Sequence, residues 1–89
     1  MARVMAQFRV LVDPGADPEE VAGKIQESLE PLGVQLMDRR QAELAFGIVA
    51  LTILLSTPEE EGITDKVEEA LSSIPGVSSV ELETMSRGG

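Results

Sequence analysis

Ala45-Phe46-Gly47-Ile48-Val49-Ala50-Leu51-Thr52-Ile53-Leu54-Leu55 is the stretch whose reading decides the fold. Its two alternating side-chain sets, Phe46/Ile48/Ala50/Thr52/Leu54 and Val49/Leu51/Ile53/Leu55, are both almost wholly apolar, so a strand here has neither face fully in water and belongs in the middle of a sheet. A buried helix is the competing reading. The β-branched content, Gly47 and the punctuation Pro58-Glu59-Glu60-Glu61 favour the strand, and the run is too short to cross a bilayer as a helix.

Working outward, residues 4–12 alternate: Val4, Ala6, Phe8, Val10 and Val12 on one side, Met5, Gln7, Arg9 and Leu11 on the other, the pattern of a half-buried first strand. Asp13-Pro14-Gly15-Ala16-Asp17 is turn chemistry. Asp17-Pro18-Glu19-Glu20 then supplies an N-cap acid and a Pro at the first helical position, so a helix starts at Pro18. Its stripe is Val21, Ala22, Ile25, Leu29 and Leu32, and Pro31 with Gly33 stops it. Val34 to Asp38 reads as a short second strand, charged enough at its end (Asp38, Arg39, Arg40) for a sheet edge, with Gln41 to Leu44 as the turn into the central strand. Beyond Leu55, a second amphipathic helix starts near Ile63 or Thr64, buries Val67, Ala70, Leu71 and Ile74, and ends at Pro75-Gly76. Val80, Leu82 and Thr84 alternate with Ser79, Glu81 and Glu83 in a last strand, and residues 86–89 read as a loose tail.

The order is therefore β-α-β-β-α-β within a single domain spanning 1–89, and its halves echo each other: Lys24-Ile25-Gln26-Glu27-Ser28-Leu29 recurs as Lys66-Val67-Glu68-Glu69-Ala70-Leu71. Two such units give an α+β ferredoxin-like sandwich, a four-stranded antiparallel sheet in the order 4-1-3-2 with both helices on one face. In that topology the turn before Phe46 lies at one end and the C-terminal residues leave at the other. Phe46 and Arg87 are then about 25 to 35 Å apart for strands of about ten residues.

Composition removes most chemistries. The 89 residues contain no Cys and no His, which excludes disulfides, thiolate and imidazole catalysis and ordinary zinc sites. Ser56, Ser72 and Ser73 have no base to activate them, and the carboxylates read as caps and solvated helix faces, so no catalytic constellation emerges and an enzyme is not expected. Seven basic residues against sixteen acidic ones give a net charge of −9, a field that repels nucleic acid and anionic lipid and attracts a basic protein. The opening Met1-Ala2-Arg3-Val4 lacks a leader-like apolar run, and the cytoplasm is the expected location. The charged and Ser/Glu-rich edges predict a monomer.

Two features stand above this background. Phe46, one of two aromatic residues, sits at a loop–strand junction beside Gly47; it either plugs the top of the core or presents a ring to a partner. Arg87, the sole cation in the last twenty residues, either is simply solvated or acts at a partner's surface.

Leu44-Ala45-Phe46-Gly47-Ile48-Val49-Ala50-Leu51, with Ile74-Pro75-Gly76-Val77 and Val80-Glu81-Leu82-Glu83-Thr84-Met85-Ser86-Arg87, resembles archaeal elongation factor 1-beta over nearly the whole chain. The resemblance implies a guanine nucleotide exchange factor for elongation factor 1-alpha, the GTPase that delivers aminoacyl-tRNA, with no cofactor or metal of its own. It assigns Phe46, Gly47, Met85 and Arg87 to the GTPase contact: Phe46 matches an aromatic that packs into the β-barrel domain, and Arg87 falls where the eukaryotic factor has a penultimate Lys directed at the magnesium and phosphate site. Here Lys has become Arg, and Gly88-Gly89 follow where an apolar residue is usual. Two alternatives accompany it: a ubiquitin-like modifier or sulfur carrier using the C-terminal Gly-Gly, which requires a β-β-α-β order, and a small regulatory ligand-binding module of ferredoxin-like fold.

Overall fold

A computed structural model describes residues 3–88. The strands are β1 (Arg3–Val12), β2 (Gln35–Glu43), β3 (Val49–Pro58) and β4 (Val77–Gly88), and the helices are α1 (Pro18–Leu29) and α2 (Ile63–Ser72). They form one sheet in the order β2-β3-β1-β4, with every neighbouring pair antiparallel. This is the expected 4-1-3-2 layout. It excludes the β-grasp order that the modifier reading requires.

The alternation in β1 does what it predicts. Val4, Ala6, Phe8, Val10 and Val12 are buried and oppose Thr57, Leu55, Ile53, Leu51 and Val49 of β3. Onto this face α1 sets Val21, Ala22, Ile25 and Leu29, and α2 sets Ile63, Val67 and Leu71. The repeated hexapeptide thus places Ile25/Leu29 and Val67/Leu71 at equivalent buried positions. At about 1.5 to 3 kcal/mol for each large aliphatic side chain fully removed from water, this layer supplies the driving force that fixes the sheet's register. Asp17 caps α1 as its position suggests, its carboxylate accepting the Glu19 N–H at 3.0 Å, with Pro18 at the first helical position. No helix among the described residues is long and apolar enough to cross a membrane.

The boundaries of three strands differ from expectation, each for a physical reason. The central strand begins at Val49 instead of Ala45 and runs on to Pro58, because Ser56 and Thr57 are buried polar residues with partners: Thr57 Oγ1 donates to Val4 O at 3.3 Å, and Ser56 Oγ accepts from Arg3 Nε at 2.9 Å. The second strand extends to Glu43, and the turn falls at 44–48 instead of 41–44. The loose tail is corrected most: Ser86 and Arg87 are strand, pairing with Met5 and Val4, and Gly88 pairs with Arg3, whereas Gly89 lies outside the described residues. Both β2 and β4 are sheet edges with a single neighbour each, so backbone pairing there demands no apolar alternation, and charged residues extend the strand without cost.

One glycine holds the two halves together. Gly76 has φ of 94°, its carbonyl accepts the Asp13 N–H at 2.8 Å, and a Cβ on it would lie 2.8 Å from Ala16 Cβ. Gly76→Ala therefore combines left-handed strain with a clash, and is expected to cost about 2 to 4 kcal/mol. At about 4 to 8 °C per kcal/mol for a domain of this size, circular-dichroism melting should record a loss of about 8 to 30 °C. A shift under about 4 °C would mean that the turn relaxes freely.

Candidate functional site

The hairpin between β2 and β3 is closed by Leu44 N–H donating to Ile48 O at 2.7 Å and Ile48 N–H donating to Ala45 O at 3.4 Å. Its central residues are Phe46, at φ 64° and ψ 27°, and Gly47, at φ 75°. Two consecutive left-handed residues are the mark of a type I′ turn, whose first central position ordinarily holds Asn, Asp or Gly. Gly47 meets this demand and brings the turn against the loop before α1, since a Cβ there would sit 3.3 Å from Pro14 Cβ.

Phe46 does not meet it. Among the described residues it is the only non-glycine with positive φ, a conformation that costs an L-residue about 1 to 2 kcal/mol. Nor does burial compensate, because its side chain is 91% exposed. The reading of Phe46 as a core plug is thus overturned. An exposed ring on a strained backbone at a hairpin tip contributes nothing to folding, and it is available to another molecule. Leu44, also partly exposed, flanks it.

The other end of the sheet carries Met85 and Arg87. Arg87, opposite Val4 in β4, has a side chain 78% exposed and forms an ion pair with Glu59, which follows β3 and is 38% exposed. Met85, two residues earlier in β4, is 50% exposed. Met85 and Arg87 line a shallow depression with Val4, Ser86 and the run Glu59-Glu60-Glu61, and Lys66 Nζ holds the Glu60 carboxylate at 2.7 Å.

The four residues singled out from sequence therefore fall into two groups, Phe46 with Gly47 and Met85 with Arg87, at opposite poles. From Val49, beside the hairpin, to Thr57, level with Val4 and Arg87, β3 climbs eight residues, about 26 Å at 3.3 Å per residue. With the turn added, the separation agrees with the expected range and fits the molecule's 42 Å long axis. Sequence reasoning missed Glu59, reading Pro58-Glu59-Glu60-Glu61 only as punctuation after the central strand. Topology holds the signal that finds it: in a 4-1-3-2 sheet the ends of strands three and four both flank the start of strand one, so residues just past β3 meet those ending β4.

Comparison with known proteins adds four findings. Residues 6–87 match the EF-1 guanine nucleotide exchange domain. The chain is 43% identical over 89 residues to elongation factor 1-beta of Korarchaeum cryptofilum, covering 100% of this chain and 97% of that protein. It is 36% identical over 91 residues to elongation factor 1-beta of Ignicoccus hospitalis, covering 94% and 97%. The C-terminal domain of the MgtC protein from Mycobacterium tuberculosis superposes with a TM-score of 0.70 at 22% identity, covering 98% of this chain and 88% of that one, a likeness of fold alone.

Proposed function

This chain belongs to the EF-1 guanine nucleotide exchange domain family of translation elongation factors, and on that premise we propose that it releases GDP from elongation factor 1-alpha by gripping the GTPase at two separate places. The Phe46 hairpin is the anchor, inserting its ring into an apolar cleft. The Arg87 pole is the effector, bringing a guanidinium to the magnesium and phosphate region of the partner's nucleotide site. The observation that carries this reading is Phe46 itself, a ring 91% exposed on a backbone that only an external contact rewards.

The energetics follow from linkage. A factor that binds the nucleotide-free GTPase more tightly than the loaded one weakens nucleotide binding by the same ratio, and a thousandfold effect requires about 4 kcal/mol of coupling. No bond is made or broken, so the domain needs only geometry and charge. A cation near the phosphates competes with magnesium for their oxygens, and a fixed anchor holds that cation there. The net charge of −9 speeds encounter with a basic face of the partner.

The test is nucleotide release. With elongation factor 1-alpha loaded with fluorescent GDP and chased with unlabelled nucleotide, release should accelerate with added protein, reach a plateau, and weaken as salt rises. Unchanged release from a GTPase that binds and hydrolyses GTP normally would overturn the proposal.

A further inference from the structure

We propose that Glu59 is a positioning residue for exchange: its carboxylate holds the Arg87 guanidinium at the edge of the sheet, ready for the partner's phosphate region. The inference rests on the role of Arg87 in the proposed function, and the experiment below lets each fail separately.

The two ends of the contact differ in rigidity. Glu59 follows directly on a fixed chain end. Thr57 is fully buried and bonded to the Val4 carbonyl, Pro58 is still paired with Arg3 and has a ring-locked φ, and the next residue, Glu60, is held by Lys66. Arg87 instead stands on an edge strand near the end of the chain, with a side chain 78% exposed. A long side chain there samples many rotamers unless something selects one, and each ordered rotamer is an entropy cost otherwise met at the moment of binding.

The Glu59 carboxylate selects one. A guanidinium has five N–H donors in a planar fork, so a carboxylate engaging one edge leaves donors for a second acceptor. Arg87 thus keeps donors for phosphate oxygens while its direction is set by Glu59. Fold stability does not account for the pair, because exposed ion pairs contribute little to it. The opposite arrangement, a latch in which Glu59 masks Arg87, predicts the opposite sign of effect and is decided by the same measurement.

Glu59→Gln, Arg87→Ala and the double variant should be compared in the GDP-release assay at saturating factor. Glu59→Gln is expected to lower maximal exchange about three- to tenfold with half-saturation changed less than about twofold, and the double variant to match Arg87→Ala within about twofold. Glu59→Asp should restore part of the loss. In the free protein, relaxation of the Arg87 Nε–Hε pair by NMR should show faster, wider motion in Glu59→Gln than in wild type, with unchanged melting as the control for folding. Equal or faster exchange in Glu59→Gln, losses that add independently in the double variant, or Arg87 equally mobile with and without Glu59 would overturn the positioning role. Full maximal exchange in Arg87→Ala would overturn the role of Arg87 itself and this inference with it.

Discussion

Phe46→Ala is expected to weaken association with elongation factor 1-alpha by about 10- to 150-fold, the factor that corresponds to about 1.5 to 3 kcal/mol for burying an aromatic ring in a cleft. Isothermal titration against the nucleotide-free GTPase reads it directly. Melting should stay within about 0.5 kcal/mol of wild type, since a side chain 91% exposed has little folded-state packing to lose. Phe46→Gly makes the argument sharper because its two effects have opposite signs. Glycine adopts φ 64° without penalty, so this variant should be more stable by about 0.5 to 1 kcal/mol while binding as weakly as the Ala variant. A residue that destabilises the free domain and strengthens the complex is kept for the complex. Loss of stability in both variants, or undiminished binding, would return Phe46 to a structural role.

That the ring is exposed was not legible in the sequence, and the reason is local. Ala45, Phe46 and Ile48 continue the apolar run of the central strand without a break in composition, and only Gly47 hints that the backbone inverts there. What was legible is whatever the core enforces. Val10, Leu51, Ile53 and Leu55 keep their faces because a shift by one residue would turn them into solvent, and Ile25, Leu29, Val67 and Leu71 keep theirs because both helices cover the same layer. The ends of the edge strands escaped for the converse reason. Asp38 to Glu43 and Met85 to Gly88 pair along one side only, so strand conformation there leaves no hydrophobic signature. The ion pair between Glu59 and Arg87 is a contact of topology, which composition and periodicity within either segment do not encode.

Arg87→Ala should lower maximal exchange about 10- to 100-fold while leaving affinity within about tenfold, the reverse of the pattern expected at Phe46. A cation brought to the magnesium and phosphate region acts on charges held there: at 4 Å and an effective dielectric of about 20, one pair of unit charges interacts by about 4 kcal/mol. The expected loss, equal to about 1.4 to 2.8 kcal/mol, is part of that energy, and it is expressed as nucleotide release because this is where the charge acts. Arg87→Lys keeps the charge and should keep most of the rate, losing only what the planar fork contributes through paired hydrogen bonds. Melting should move by less than about 0.5 kcal/mol, since an exposed ion pair is all that the folded domain loses. The two poles are separated by the span of β3, about 26 Å at 3.3 Å per residue, with the turn added, too far to share a pocket or perturb each other's packing. Phe46→Ala and Arg87→Ala together should therefore show the sum of the two single losses in exchange efficiency to within about 0.5 kcal/mol. Single-turnover GDP release over a concentration series of all four proteins separates affinity from maximal rate. Strong non-additivity, or an Arg87→Ala protein that differs from wild type in affinity alone, would mean that both residues serve one contact and that the two-pole mechanism is wrong.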